Sequence, residues 1–284
     1  MDIYLLEAVI NGLLLGGVLA LLALGLNLIF GVVDVVWIAY ADLVMCGMYG
    51  VYWLHAYYGW PLWAACAVSI VAVAALGLLV HLMIIAPVLR AAPINQLLAT
   101  GGLLFFLQSF ATLLFGTDFR NIGVRLPIIE LGDVYISYAR LLAFGFALVG
   151  AVALYFFLKR TFIGTAIRAI AQDRDIVGLM GVDQRHVYLV TSAIGGALAG
   201  LGGCLLVLQY DVHPFIGNTF GPLIFMICVL GGLGNMIGGF IASFIISQII
   251  SIGGYYYSTE WAYVLAFTLF IVLMFIRPRG ILAR

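Results

Sequence analysis

Between residues 8 and 277 the chain is almost continuously apolar, in runs at about 8–30, 36–54, 62–85, 95–115, 139–158, 187–209, 219–232, 236–254 and 261–277. A bilayer core is crossed by about 20 apolar residues in helical form, because backbone polar groups find no water there and must satisfy one another. Runs this long and uniform predict helical spans. They exclude a membrane β-barrel, whose strands would alternate polar and apolar residues over roughly 10 positions. The expected fold is an all-α polytopic integral membrane protein with about eight to nine hydrophobic segments. Spans and short connections nearly use up the 284 residues, so a single transmembrane domain over 1–284 is expected, with no stretch left for a water-soluble core. Residues 1–7 lack the positive start of a cleavable leader and the apolar run after them is too long for one, so the first run reads as an uncleaved span.

Charge is scarce, at 8% of residues, and its placement sets the topology. Alternating sides from span to span puts Arg90, Lys159, Arg160, Arg168, Arg174, Arg185, Arg277, Arg279 and Arg284 on one face, and only Arg120, Arg125 and Arg140 on the other. Basic residues concentrate on the cytoplasmic side, which makes the C-terminus cytoplasmic and leaves the N-terminus, the 116–138 loop and Tyr255–Glu260 outside. The Tyr255, Tyr256, Tyr257 run suits an aromatic belt there. This alternation requires VLGGLGNMIGGF, residues 229–240, to reverse direction. Gly231, Gly232, Gly234, Gly238 and Gly239 supply the backbone freedom for a tight turn between two short half-helices.

Residues 159–186 form the longest cytoplasmic loop and hold eight of the 24 charged residues, of which 12 are Lys or Arg and 12 Asp or Glu. Ile163, Ile167, Ile170, Val177 and Met180 recur at helical spacing beside a charged stripe, which predicts a short amphipathic helix over about 164–181. Gly181 suits its C-terminal cap. Asp183 can cap the next span, with Val182 and Val187 as a staple. A helix that rests on lipid is rich in Lys and Arg, whereas this polar face mixes Arg168 and Arg174 with Gln172, Asp173 and Asp175; docking onto a protein is the favoured reading.

Catalytic chemistry finds no support. The only lysine, Lys159, sits in no G-x-x-x-x-G-K-[ST] phosphate loop, so this chain is not expected to hydrolyse ATP. Gly232, Gly234 and Gly238 have the wrong spacing for a dinucleotide fingerprint. No serine lies in G-x-S-x-G, and His55, His81, His186 and His213 lack metal-ligand spacing, as do Cys46, Cys66, Cys204 and Cys228, which read as packing residues. No cofactor, metal or nucleic acid is expected for the chain itself. Transport is the function left for many spans with buried polar residues.

Asp42 falls inside an apolar run, where a charge costs about 2.5–3.5 kcal/mol on insertion and belongs against the bundle interior or water. Asn11, Asn27, Thr100, Gln108 and Gln248 lie in other runs, and Asn235 lies in the glycine turn. Together with Asp42, the residues Asn11, Asn27, Thr100, Gln108 and Asn235 are the candidates for a substrate pathway. For each, a hydrogen bond between helices, averaging about 0.6 kcal/mol in membranes, is the competing explanation.

Four stretches carry a family resemblance, in order: GLNLIFGVVD with IAYADLVMCGMY (25–49), GTAIRAIAQDRDIVGLMGVD (164–183), VLGGLGNMIGGF (229–240) and RPRGIL (277–282). Together they resemble the permease subunits of ABC importers for branched-chain amino acids, a family that also includes urea and short-amide permeases, and the resemblance spans nearly the whole chain. It implies a bacterial inner-membrane permease that partners a second permease subunit, two ATPase subunits holding ATP and magnesium, and an extracytoplasmic substrate-binding protein. It implies that Arg168, Ala171, Gln172, Asp173, Leu179 and Gly181 are docking or shape-setting positions of a coupling helix seated in the ATPase. Asp42 aligns with an acidic position of the family, but Trp37, Tyr40 and Ala41 stand where the family more often has Asn, His or Gln, and Gly. The rival readings are a urea or short-amide permease and an ion-gradient-driven carrier or channel with Asp42 as the coupling carboxylate.

Overall fold

The computed structural model describes residues 3–124, 127–131, 134–277 and 280–281. The helices are α1 Ile3–Val33, α2 Tyr40–Tyr52 with a π-helical continuation Trp53–Tyr57, and α3 Leu62–Val80, which runs on through π-helical His81–Ile85 into α4 Ala86–Val88. They continue with α5 Pro93–Phe115, α6 Tyr138–Arg160, α7 Phe162–Gln172, α8 Arg174–Leu179, α9 Gln184–Leu206, α10 Ile216–Gly231, α11 Met236–Tyr256 and α12 Thr259–Ile276. Among the described residues seven helices are long and apolar enough to cross a membrane, and α10 is a shorter apolar helix. With α2 they make up the nine hydrophobic segments, so the chain is an all-α polytopic membrane protein.

Burial sorts these helices into core and periphery. The helix α1 is apolar on every side and is buried from Leu14 to Val33 almost throughout, because α6, α9, α10 and α11 surround it. By contrast α12 buries only Ala262 and Ala266, and Phe275 on it is 85% exposed. Such outward rings would be an aggregation hazard in water and fit a lipid-facing surface. Packing between α3 and α9 is close. A Cβ on Gly196 would stand 2.7 Å from the Val73 carbonyl oxygen and 3.2 Å from the Gly77 Cα, so only glycine lets these backbones approach.

At the other reversal, Gly232 (φ 98°) and Gly234 (φ 79°) make the turn between α10 and α11, and the Asn235 side chain accepts from the Gly238 amide at 3.0 Å to cap α11. The expectation of two short half-helices holds for α10 alone; α11 is a full 21-residue span. The difference has a cause at the far end of α10. Backbone bonds between Arg120 and Val212, 2.9 and 2.7 Å, hold the preceding segment extended, so α10 starts late. Beside that bridge the Asn121 amide donates to Asp211 at 2.8 Å. The same end of the bundle carries a feature outside the all-helical expectation, a hairpin of β1 Ile128–Leu131 and β2 Val134–Ser137 that pairs Ile128 with Ser137.

The loop after α6 also departs from expectation. In place of one helix over 164–181 there are two, broken at Asp173, whose backbone is extended (φ −155°, ψ 111°). Thr161 starts α7 by accepting from the Gly164 amide at 2.9 Å. A straight helix would carry Val177 about 10 Å beyond Ile170; the break turns the chain so that Ile167, Ile170 and Val177 are all buried. Met180, expected in the same stripe, is 78% exposed beyond the end of α8. Gly181 adopts φ 78° after the helix, and the Asp183 carboxylate caps α9 by accepting from the Arg185 amide at 3.0 Å. Arg125, Arg279 and Arg284, used to assign sides, lie outside the described residues, as does half of RPRGIL.

Candidate functional site

α1 ends at Asp34, a non-glycine residue at φ 58°, and the chain returns into the body as an irregular stretch with Val35, Trp37 and Ala39 buried. Helix α2 then starts at Tyr40, which sets Asp42 in a first turn, where the aligned peptide dipoles favour a negative side chain. Asp42 is 1% exposed. The Gln108 amide on α5 donates to Asp42 Oδ1 at 3.1 Å and to Asn218 Oδ1 on α10 at 2.8 Å, so one side chain ties three helices together. A Cβ on Gly217 would lie 2.4 Å from Asp42 Oδ1, so α10 reaches the carboxylate only because that position is glycine. The second oxygen, Asp42 Oδ2, is buried and has no hydrogen-bond partner among the described residues.

Against this carboxylate lies a cavity of about 590 Å³. Its walls are Leu26, Val36, Ile38, Leu97, Leu104, Ile224 and Phe225, with Trp37 and Tyr40; Asp42 and Asn218 supply the polarity. The Tyr40 hydroxyl is already used, donating to the Gly195 carbonyl at 3.2 Å. On α10 the lining residues Asn218, Gly221, Pro222 and Phe225 share one face. Pro222 has no N–H to offer the Asn218 carbonyl four residues earlier, which adds a backbone acceptor on that wall. An apolar chamber with a carboxylate at one point is suited to a small solute that has a greasy body and a cationic end.

The opposite end of α10 meets a second feature. A cleft of about 580 Å³ lies between Phe30, Gly31 and Asp34 at the end of α1, residues 170–174 of the α7–α8 break, and Leu233 and Gly234 of the glycine turn. Arg174 pairs with Asp34 at 3.4 Å, and both side chains are more than a third exposed, so the pair contributes about 1 kcal/mol at most. The Ile281 amide donates to the Leu230 carbonyl at 2.8 Å, which returns the chain end to the same turn. The α7–α8 segment therefore touches the α1 end, which continues into the cavity wall, and faces across the cleft the glycine turn that follows α10.

The family model described as branched-chain amino acid transport system, permease component, matches residues 8–274. The chain belongs to that permease family. The high-affinity branched-chain amino acid transport system permease protein LivH of Escherichia coli K12 is 29% identical to it, over 99% of this chain and 96% of the relative. The corresponding protein BraD of Pseudomonas aeruginosa is 29% identical over 98% and 96%. Among solved structures, a chain of PsaBC from Streptococcus pneumoniae in complex with Fab superposes with a TM-score of 0.53 at 12% identity, covering 95% of this chain and 91% of that one. This last likeness shows the fold alone. The family resemblance carried by the four motifs is borne out.

In this permease the six pathway candidates divide. Asp42 and Gln108 meet at the cavity, and the Thr100 hydroxyl donates to the Val36 carbonyl at 3.0 Å, pinning the irregular wall to α5. Asn27 accepts from the Gly234 amide at 3.1 Å and so belongs, with Asn235, to the glycine turn. Asn11 is half-buried on α1 and is not part of the cavity wall. Gln248 donates to the Val9 carbonyl at 3.0 Å and joins α11 to α1. Of the coupling candidates, Arg168, Ala171, Gln172, Asp173 and Gly181 are exposed; Leu179 closes α8, and its side chain lies outside the described residues. Asn218 escaped the sequence reading because HPFIGNTF precedes the apolar run begun at 219; its amide between Gly217 and Gly221 was the available signal.

Proposed function

We propose that this permease conducts branched-chain or similar small apolar amino acids through the chamber beside Asp42, driven by separate ATPase subunits that grip the α7–α8 segment. The observation that carries this reading is Asp42, a buried carboxylate in the wall of an otherwise apolar chamber, with one oxygen unpartnered among the described residues: the amino acid's ammonium group pairs with this carboxylate while the aliphatic side chain fills the rest. Arg168, Ala171, Gln172, Asp173, Leu179 and Gly181 form or shape the surface offered to the ATPase. ATPase closure then shifts the α1 end and the glycine turn, and with them both sides of the chamber, giving alternating access. The chain itself is catalytically inert, with ATP and magnesium held by its partners. The assembly comprises a second permease subunit, identical or homologous, two ATPase subunits and an extracytoplasmic binding protein that delivers to the outer loops around 116–138 and 210–218. It sits in the bacterial cytoplasmic membrane with its C-terminus cytoplasmic.

The deciding experiment is reconstitution into proteoliposomes with and without the ATPase subunits. Leucine uptake is expected only when ATPase and ATP are present. Uptake by the permease alone, responding to an imposed proton or sodium gradient, would overturn the importer reading in favour of a carrier with Asp42 as its coupling group.

A further inference from the structure

Sequence distance separates the four cysteines, and the fold brings two of them together. α3 and α9 run antiparallel with backbones in contact at Gly77 and Gly196, and a Cβ on Gly200 would stand 3.0 Å from the Ile70 Cα. One more helical step of four residues along each helix leads from Gly200 to Cys204 and from Ile70 to Cys66. There the Cys204 thiol lies 3.6 Å from the Cys66 carbonyl oxygen, to which it donates. A sulfur this close to the other cysteine's backbone puts the two residues within reach of a disulfide, which spans roughly 4.4–6.8 Å between Cα atoms. Cys66 is four residues inside the start of α3 and Cys204 two before the end of α9, about 6 and 3 Å from the helix ends, on the side opposite the basic loop. Cys66 is half-buried and Cys204 fully buried. Cys228 is apart from them, its thiol directed to the Ala23 carbonyl at 3.5 Å.

We propose that Cys66 and Cys204 are a redox site that closes to a disulfide and staples α3 to α9 at their outer ends. The oxidant is an external disulfide of a thiol oxidoreductase or small molecule. The more exposed Cys66, as thiolate, attacks one sulfur of that disulfide, breaks its S–S bond and releases one thiol. Cys204, as thiolate, then attacks the Cys66 sulfur of the mixed disulfide, forms the Cys66–Cys204 bond and expels the second thiol. The two electrons and the two cysteine protons end on the pair of released thiols. Neither α3 nor α9 contributes to the wall of the Asp42 chamber, so oxidation stiffens the scaffold and leaves the conduit free. This site stands independently of the function proposed above.

The test uses the full-length permease in membrane vesicles, treated with oxidised glutathione or left reduced, denatured, and labelled with a maleimide polymer that shifts the band once per free thiol. After oxidation two of the four thiols are expected to be protected, with a mass lower by two hydrogens and full labelling restored by dithiothreitol. Cys66→Ser and Cys204→Ala should each leave three labelled thiols whatever the treatment, while Cys46→Ser and Cys228→Ser keep the protected pair. Cys66→Ser, at a half-buried position, serves as the readout even if Cys204→Ala fails to fold. Four labelled thiols after oxidation, glutathione adducts as the sole product, or protection that survives in Cys66→Ser would each overturn the proposal.

Discussion

Replacing Asp42 by asparagine moves stability and transport in opposite directions. The Gln108 amide donates to Oδ1 at 3.1 Å, and an asparagine side chain keeps an oxygen there, so the link between α2, α5 and α10 survives. What is lost is the carboxylate's charge, whose second oxygen, Oδ2, is buried and makes no hydrogen bond among the described residues. A charge in an apolar span costs about 2.5–3.5 kcal/mol on insertion, so D42N should melt no lower than the parent in detergent, and the relief of that cost favours a higher midpoint. The ammonium of the cargo, however, loses a charge-assisted hydrogen bond, a contribution of about 1.5–3 kcal/mol. That corresponds to roughly a 10- to 150-fold loss in binding. The assay is uptake at limiting substrate by the full assembly, comparing leucine with 4-methylpentanamide, which keeps the aliphatic body but has no amine. Leucine uptake should fall by that factor while any uptake of the amide is spared. A lowered melting point with unchanged leucine uptake would show that Asp42 is a packing residue and that the ammonium binds elsewhere.

Two further outcomes follow from the packing. A Cβ at Gly238 would sit 1.9 Å from the Gly231 carbonyl oxygen, backbone against backbone; Gly238→Ala should cost upward of about 1–3 kcal/mol through overpacking, visible as a lowered melting point, whereas Gly101→Ala, with nothing within 4 Å, should melt like the parent. Ala171 is exposed beside the cleft at the α7–α8 break, so Ala171→Arg should leave the permease monodisperse and equally stable while weakening ATPase co-purification about tenfold or more, a loss of about 1.4 kcal/mol; unchanged co-purification would remove this face from the docking surface.

The nine segments were legible because a bilayer imposes a fixed length on every span. Asp42 was legible for a related reason, as a charge standing alone among apolar neighbours. The break at Asp173 was not, since Ile167, Ile170 and Val177 keep the same periodicity whether the helix is straight or turned, and only the shape of the body beneath them decides. Glycine spacing announced close contacts between helices without naming partners, which left the meeting of Gly196 with Gly77, and of Cys204 with Cys66, invisible in one dimension. The hairpin did have a local signal, Gly132-Asp133 between two short β-rich runs, a spacing that favours a two-residue turn. Asn27 and Asn235 looked like pathway residues because a polar group in a span is conspicuous whatever it bonds, and their partners are backbone amides of the glycine turn.

The burial of α1 bears on how the molecule is made. Asn27 on α1 waits for an amide at Gly234, a separation of 207 residues, which a ribosome adding 5–20 residues per second covers in about 10–40 s. During that interval the helix that will become the centre of the bundle has only lipid and its early neighbours around it. Its evenly greasy circumference is what lets it stand there without a preferred face, and ribosome-bound intermediates halted before α10 should still expose α1 to lipid-anchored cross-linkers that the finished protein excludes.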